Sequence, residues 1–199
     1  MIDKDLVRLL RTCAKHLDAL EAEWAVAGAT AMAVHGYARQ TKDIDLFVAD
    51  DVRDELLQQL KGEGIPIDEV MPPSHYSIEP KKNRDPEKRI DILFPALGIE
   101  SLGLMAAERR KVAGLDVPVL QLQYIIALKL QTDPVYERDR YAKDDQDLRE
   151  LRARGLVDAL RVQTVLHDVR DQSALTRLQD LVHEARPEGE PSSPPPRRR

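Results

Sequence analysis

One stretch of the sequence decides the fold, WAVAGATAMAVHGYARQTKDIDLFV, which runs from Trp24 to Val48. Its first four residues are apolar and end at Gly28, a pattern that predicts a buried strand followed at once by a turn. The alanine-rich segment 29–35 predicts a short helix that Gly36 terminates. The apolar run 44–48 predicts a second strand. The stretch is therefore interpreted as a strand–helix–strand unit of a mixed α/β protein.

Two features of this unit point to phosphate and metal chemistry. Glycine at position 28 lets the backbone approach a ligand closely, and the N–H groups that begin the next helix suit an anion. Asp43 and Asp45 are two residues apart on a strand, so both side chains point to one face while Ile44 and Leu46 face the core. Adjacent carboxylates disfavour each other's ionisation, and Mg²⁺, which prefers carboxylate and phosphate oxygens, removes that conflict. The alternative interpretations are that Gly28 marks an ordinary structural turn and that Asp43 and Asp45 are a solvated pair on an exposed face.

A third carboxylate, Asp91, lies inside the apolar strand 89–94, which Pro95 ends. A charge in such a strand is costly unless it is exposed or paired. If this strand neighbours the one that carries Asp43 and Asp45, three carboxylates converge and can hold one or two Mg²⁺ ions. Asp91 could instead act as the general base for an attacking hydroxyl. A solvent-facing Asp91 is the remaining alternative.

The rest of the chain predicts strands and helices first and helices alone afterwards. Before residue 121 we expect helices at 5–20, capped by Asp3 or Asp5, at 52–60, capped by Asp50 or Asp51, and at 101–111, with short strands near 65–70, 76–78 and 115–120. After it we expect helices at 121–130, 144–153, 156–167 and 172–185. The predicted fold is α/β (α+β), with a mixed sheet flanked by helices in 1–120, a C-terminal helical region in 121–185 and a disordered Pro/Arg-rich tail in 186–199.

Composition narrows the function classes. Hydrophobic residues make up 42% of the 199 residues, so the chain can bury a core, and the single cysteine, Cys13, excludes a disulfide framework or a cysteine-rich zinc site. No apolar run approaches the roughly 20 residues that span a bilayer, and the N-terminus lacks a signal-peptide pattern. We therefore expect a cytoplasmic protein without a membrane partner. The net charge of −5 argues against a broad nucleic-acid surface.

One basic stretch precedes Asp91 and offers a local exception to the acidic balance. It is interpreted either as a solvated loop or as a phosphate patch for an RNA acceptor or a nucleoside triphosphate. Its members are Lys81, Lys82, Arg84, Lys88 and Arg89.

Several motifs in the same order resemble a known family. The 24–48 stretch is similar to the signature of the nucleotidyltransferase (polymerase-beta-like) superfamily, in which Gly-Gly or Gly-Ser opens a helix and D-x-D follows about a dozen residues later. The closer resemblance is to the AbiEii-type toxin branch, in which His-Gly and R-x-T-x-D-x-D runs are common. The segment IALKL at 126–130 resembles its lysine motif, and KDDQDL at 143–148 resembles its K-D-x-x-D-L motif. The likeness covers roughly residues 20–150.

The resemblance implies Mg²⁺-dependent transfer of a nucleoside monophosphate from an NTP to a hydroxyl of RNA, such as a tRNA end, or of a protein, with release of pyrophosphate. It also implies the toxin of a bacterial toxin–antitoxin or abortive-infection system, with a cognate antitoxin as partner. The implied roles divide among the matching residues: Gly28, Ala29, Thr30, Arg39 and Thr41 form the nucleotide pocket, Asp43, Asp45 and Asp91 bind metal and catalyse, Lys129 pairs with the triphosphate, and Asp144 and Asp147 orient Lys129 or the base.

One departure keeps two alternatives open. Position 29 is alanine where the family has glycine or serine, so a serine hydroxyl contact to the triphosphate is lost. A non-catalytic relative that binds a partner through its helical half is the alternative that Ala29 supports, and the carboxylates with Lys129 oppose it. The other alternative is an enzyme that moves the nucleotide to a small molecule, as antibiotic adenylyltransferases do.

Overall fold

The computed structural model describes residues 2–80, 85, 87–95 and 97–184. Within these residues the helices are α1 (Lys4–Ala19), α2 (Gly28–Val34), α3 (Arg53–Gly62), α4 (Ile99–Met105), α5 (Leu122–Gln131), α6 (Arg138–Ala153), α7 (Ala159–Asp168) and α8 (Gln172–His183). The strands are β1 (Trp24–Val26), β2 (Ile44–Val48), β3 (Ile67–Met71), β4 (His75–Ile78), β5 (Ile90–Leu93), β6 (Glu108–Val112) and β7 (Leu115–Val119). The tail predicted at 186–199 lies outside the described residues, as do Lys81, Lys82 and Arg84.

The strands form one mixed sheet in the order β3-β4-β5-β2-β1-β7-β6. At its centre β2 runs parallel to β5 and antiparallel to β1, and β1 runs parallel to β7. The hairpins β3–β4 and β6–β7 form the two edges. The mixed α/β fold predicted from the sequence is therefore confirmed, and its first two strands are central neighbours. This adjacency brings the turn after β1 next to the carboxylates of β2.

The alternation of side chains along β2 sets the character of one sheet face. Ile44, Leu46 and Val48 are buried, so they belong to the core face, and Asp45 and Phe47 point the other way. The parallel register places Asp45 beside Asp91 and Phe47 beside Leu93 of β5. The face opposite the core thus carries a row of carboxylates and, two residues further along, an apolar row.

Helix α1 covers the core face through one apolar stripe and confirms its prediction. Asp3 is the N-cap, since its side chain accepts a hydrogen bond from the Asp5 N–H at 2.8 Å. Leu10, Cys13 and Leu17 on the inner stripe have no exposed surface. Burial raises the pKa of the Cys13 thiol to about 12, as expected of a small hydrophobic residue in a core.

The helix predicted at 101–111 is wrong in its second half. Helix α4 ends at Met105, and Glu108–Val112 is strand β6, which pairs antiparallel with β7. The two residues that connect these strands, Ala113 and Gly114, have φ values of 48° and 86°. Two successive positive φ values form the tight turn of a hairpin and not a helix end. The charged, exposed residues of β6 suit an edge strand, because charges discourage pairing with other chains.

The predicted caps of α3 are also wrong. Asp50 and Asp51 lie in a short 3₁₀ turn, Asp50–Val52, and the N-cap of α3 is Val52, which provides no side-chain cap. The Asp50 carboxylate instead pairs with the guanidinium of Arg53 at 2.7 Å. Helix α6 begins at Arg138, about two turns before the predicted start at 144.

The three helices α6, α7 and α8 pack around α5, which also contacts α2 and α4. Buried side chains from α5 to α8 belong to the same apolar cluster as those of the sheet. The predicted boundary between a sheet domain and a helical region at residue 120 stays a prediction. In the part of the chain that the structure describes, no helix is long and apolar enough to cross a membrane.

Candidate active site

The turn after β1 is built around a close approach between Gly28 and Asp45. Gly28 has a φ of +57°, a backbone conformation that side chains disfavour. A Cβ atom at this position would lie 1.8 Å from Oδ2 of Asp45. The Ala27 N–H donates to the carbonyl oxygen of Asp45 at 2.8 Å and fixes the two strands in this relation. Only glycine fits here, because the Asp45 carboxylate occupies the volume of a side chain.

The next two predicted pocket residues begin α2. The N–H groups of Gly28, Ala29 and Thr30 precede the first intrahelical hydrogen bond, which runs from the Ala31 N–H to the Ala27 carbonyl oxygen at 3.1 Å. Ala29 is buried, and the buried Oγ1 of Thr30 has no hydrogen-bond partner among the described residues. A methyl group at position 29 therefore leaves the backbone donors of this turn in place.

Asp45 is perturbed by burial and by the neighbouring carboxylates of Asp43 and Asp91. Desolvation raises the pKa of Asp45 to about 6, and the negative charges of Asp43 and Asp91 add to that rise. The positive charges of Lys143 and Lys129 oppose it. No described residue donates a hydrogen bond to the Asp45 carboxylate, whereas Asp43 accepts one from the hydroxyl of Thr41. Asp45 is thus a partly buried acid whose charge is incompletely compensated.

Asp91 has a different environment from the other two carboxylates. It is 5% exposed, and both of its oxygens accept from the Nε–H of Arg89 at 3.1 Å. Oδ1 also contacts the hydroxyl of Ser77 and lies 3.2 Å from Nε2 of His75. These partners come from β4, the strand beside β5, so neighbouring strands and Arg89 hold Asp91 in place. They also compensate its charge.

The second half of the site joins α5 to α6. The ammonium group of Lys129 is buried, contacts Oδ1 of Asp144 and donates to Oδ2 of Asp147 at 2.8 Å. The Thr132 hydroxyl donates to the other oxygen of Asp144 at 2.7 Å. The two motifs that the sequence separates by more than a dozen residues are therefore joined by one buried ionic network.

Asp147 links this network to the loop before β2. Its Oδ1 accepts from the hydroxyl of Tyr37 at 3.1 Å and lies 3.1 Å from Nε of Arg39. Arg39 was predicted to shape the nucleotide pocket, and its side chain is held between the loop and α6. Tyr37 and Thr132 were not singled out by the sequence analysis, because a tyrosine and a threonine in polar surroundings give no pattern of their own.

One cleft of about 550 Å³ collects most of these groups. It brings together Gly28, Ala29, Arg39, Asp43, Asp45, Lys129 and Asp144 of the predicted set. Thr30, Thr41, Asp91 and Asp147 of the predicted set do not line it. Two cations that were not predicted, Arg140 and Lys143 on α6, also line it. Their spacing of three residues places them on one helix face, which was detectable in the sequence once α6 was known to begin before 144.

The basic stretch before Asp91 is engaged in ion pairs where the structure describes it. Lys88 contacts Asp3 at 2.9 Å, and Arg89 contacts Asp91 at 3.1 Å. Neither residue lines the cleft. A role for this stretch as a phosphate patch stays a prediction.

The carboxylates of the cleft fit a divalent cation only together with ligands that the substrate supplies. Among the described residues, no group of three or more His, Cys, Asp or Glu side chains is arranged to hold a metal ion. Asp43 and Asp45 nevertheless offer two carboxylates at the cleft floor, and the missing Cβ of Gly28 leaves room for Asp45. Mg²⁺ is commonly bound by one or two carboxylates together with substrate phosphates. The residues therefore fit a cation that arrives with a phosphate ligand.

The sequence matches no protein-family model and no curated protein. The fold is similar to that of the antibiotic-resistance factor ANT(2'')-Ia, with a TM-score of 0.58 and 17% identity over 92% of this chain and 100% of that one. ANT(2'')-Ia in complex with adenylyl-2''-tobramycin gives a TM-score of 0.56 and 17% identity over 83% of this chain and 97% of that one. An antigenic nucleotidyltransferase-like protein from Paracoccidioides brasiliensis gives a TM-score of 0.52 and 17% identity over 91% of this chain and 94% of that one. The chain has a nucleotidyltransferase-like fold.

Proposed function

We propose that the protein transfers a nucleoside monophosphate from an NTP to a hydroxyl group and releases pyrophosphate. The observation that carries this proposal is the packing of the Asp45 carboxylate against Gly28 at the floor of a cleft that also contains Lys143. The carboxylates would hold a metal cation on one side of the triphosphate, and the cationic side chains would face its oxygens on the other side. Positive charge would then neutralise the triphosphate from both sides.

Two groups of residues divide the work of binding the donor. The backbone N–H groups at the start of α2 and the cations Arg140 and Lys143 hold phosphate oxygens. Lys129 lines the cleft, but its ammonium group is already paired with Asp144 and Asp147. We therefore assign Lys129 first to the junction between α5 and α6, and its contact with the triphosphate stays a prediction.

Asp43 and Asp45 would hold Mg²⁺ together with phosphate oxygens. When bound, the cation supplies positive charge to the transferring phosphate and lowers the pKa of the attacking hydroxyl. Asp91 lies beside Asp45 in the register of β2 and β5 but does not line the cleft, so its role as the base for the attacking hydroxyl stays a prediction. In that role it would take the proton of the hydroxyl as the new bond to phosphorus forms.

The acceptor separates two versions of this function. The resemblance to the AbiEii-type branch supports a cytoplasmic toxin that modifies RNA or protein and is controlled by a cognate antitoxin. The fold likeness to ANT(2'')-Ia, which extends over all of that chain, supports a small-molecule adenylyltransferase. Both versions need the same donor site, so one experiment can test them together.

The experiment uses the purified full chain with each NTP labelled on the α-phosphate, with Mg²⁺ or with EDTA. Total bacterial RNA, lysate protein and a mixture of small hydroxylated molecules serve as acceptors. Asp45→Asn removes one carboxylate, and Asp168→Asn makes the same change at an exposed position near the end of α7. Mg²⁺-dependent label that Asp45→Asn loses and Asp168→Asn retains is the expected result.

The acceptor that carries the label chooses between the two versions, and growth arrest on expression that needs Asp45 would indicate a toxin. If the wild-type chain binds no NTP in calorimetry and transfers no label, both enzyme versions fail. A protein that only binds a partner would then be the better account.

A further inference from the structure

We propose that Tyr37 is a positioning residue that keeps the guanidinium of Arg39 available to the triphosphate of a bound NTP. The inference rests on the nucleotidyl transfer proposed above, because it concerns how one cation of the cleft is presented to the donor. It follows from the way in which Tyr37 and Arg39 share one oxygen of Asp147.

Tyr37 is buried shortly after α2 and is held on several sides. Its backbone N–H donates to the carbonyl oxygen of Met32 at 3.0 Å, so the residue is fixed to the end of that helix. The residue is 5% exposed, and the guanidinium carbon of Arg154, just after α6, lies 5.2 Å from the centre of the ring. A buried tyrosine hydroxyl needs a hydrogen-bond partner, and this one donates to Oδ1 of Asp147 at 3.1 Å.

The hydroxyl of Tyr37 stays a donor whenever Asp147 is ionised. Burial raises the pKa of Tyr37 above its usual value, and the negative charge of Asp147 adds to the rise. The other oxygen of Asp147 accepts from the ammonium group of Lys129 at 2.8 Å. Each oxygen of this buried carboxylate therefore already has a donor of its own.

Arg39 is held near the same carboxylate without a hydrogen bond to it. Its Nε atom lies 3.1 Å from Oδ1 of Asp147, yet this buried atom has no hydrogen-bond partner among the described residues. Its Nη1 atom makes only a long contact of 3.5 Å with the carbonyl oxygen of Gln40. The side chain lines the cleft and is 24% exposed. The guanidinium is thus attracted to Asp147 while most of its N–H groups form no hydrogen bond with a described residue.

The donor that Tyr37 supplies explains why Arg39 is not locked to the carboxylate. A hydrogen bond from the Nε–H of Arg39 to Oδ1 would have to compete with the hydroxyl that is already there. Without the hydroxyl, Oδ1 would accept from Arg39 instead, and such charge-assisted hydrogen bonds are strong. An NTP would then have to break this bond before it could use the guanidinium. Tyr37 therefore preserves the affinity of the cleft for the donor.

The test measures binding of an NTP with Mg²⁺ by calorimetry to the wild type, Tyr37→Phe, Arg39→Met and the double variant. Phenylalanine keeps the buried ring and its contact with Arg154 and removes only the hydroxyl. We expect Tyr37→Phe to raise the Kd about 3–10-fold, the range for one lost hydrogen bond. In the Arg39→Met background the same change should have an effect of less than about 2-fold. Equal fold-changes in the two backgrounds would overturn the proposal, because Tyr37 would then not act through Arg39.

Tyr136→Phe is the matched control. It removes a tyrosine hydroxyl from a residue that is 88% exposed and does not line the cleft, so it should bind the NTP like the wild type. In label transfer, Tyr37→Phe should raise the KM for the NTP and change kcat by less than about 2-fold. A lower kcat at an unchanged KM would contradict a role in binding the donor.

Phenylglyoxal, which reacts with accessible guanidinium groups, tests the position of Arg39 without nucleotide. Mass spectrometry follows modification of Arg39 and of the exposed Arg138 in the wild type and in Tyr37→Phe. We expect slower modification of Arg39 in the variant and equal rates at Arg138. Equal or faster modification of Arg39 in the variant would overturn the proposal.

These measurements separate failure of this inference from failure of the proposed function. If the wild type binds the NTP and Tyr37→Phe binds it equally well, only the role of Tyr37 is wrong. If the wild type does not bind any NTP, both are wrong.

Discussion

Replacing Asp45 by asparagine should stabilise the protein in the absence of metal while removing its response to Mg²⁺ and NTP. Asparagine has the same shape as aspartate, so it fits against Gly28. The space there is narrow, because a Cβ atom on residue 28 would lie 1.8 Å from Oδ2 of Asp45. It removes one negative charge from a group that already includes Asp43 and Asp91. Stability is gained because the ionised Asp45 is partly buried and accepts no hydrogen bond from a described residue.

The magnitude follows from the pKa of Asp45. A rise from 3.8 to about 6 corresponds to about 3 kcal/mol, at about 1.4 kcal/mol for each pKa unit. The folded state binds the proton more tightly than the unfolded state, so the penalty grows as the pH rises from about 4 to about 6 and is constant above it. For a chain of this size, 3 kcal/mol corresponds to a Tm increase of about 6–12 °C.

The assay is thermal unfolding in EDTA at pH 8 and at pH 5, for the wild type, Asp45→Asn and Asp168→Asn. We expect the asparagine variant at position 45 to melt higher at pH 8, to lose much of that advantage at pH 5 and to show no added stability with Mg²⁺ and NTP. Asp168→Asn should melt like the wild type at both values. An Asp45→Asn variant that melts lower than the wild type at pH 8 would refute the reasoning.

Three further predictions concern the turn, the two lysines and the cysteine. Gly28→Ala should destabilise the protein by about 1–3 kcal/mol in urea unfolding and weaken NTP binding, because its Cβ displaces the Asp45 carboxylate. Lys129→Ala should cost about 3–5 kcal/mol, because it removes the buried ammonium group that joins Asp144 to Asp147. The exposed Lys143 should tolerate alanine with unchanged stability but weaker NTP binding. Cys13 should not react with a thiol reagent at pH 8 until the protein unfolds, because burial raises its pKa to about 12.

Each of these predictions has an outcome that contradicts it. Unchanged NTP affinity in Gly28→Ala would mean that Asp45 is not a ligand at this turn. Lys143→Ala that unfolds as easily as Lys129→Ala would place both lysines in the structural network. Rapid modification of Cys13 in the folded protein would show that α1 opens easily.

The centre of the fold could be predicted because local patterns describe it. The apolar run before Gly28 ends at a glycine, which predicts a strand followed by a turn and a helix. The apolar residues around Asp45 predict the second strand. That β1 and β2 are adjacent follows from the shortness of the chain between them. The pairing of β2 with β5, which brings Asp91 to Asp45, could only be stated as a condition, because it depends on contacts distant in sequence.

The parts that were missed depend on tertiary context. The charged segment 108–112 has the composition of a helix end, and only its pairing with β7 makes it a strand. Arg140 and Lys143 carry no signal as isolated residues, and they face the cleft because α5 holds α6 through Lys129. The engagement of Asp91 by Arg89 and Ser77 likewise requires the register of β4 on β5.

Transfer of the α-phosphate label is the measurement that tests the central claim most directly. The wild-type chain is incubated with Mg²⁺, the acceptor mixtures and an NTP labelled on either the α- or the γ-phosphate. The account predicts that the α-label becomes covalently attached to an acceptor, that the γ-label leaves as pyrophosphate, and that Asp45→Asn abolishes both. Attachment of the γ-label, or undiminished transfer by Asp45→Asn, would contradict it.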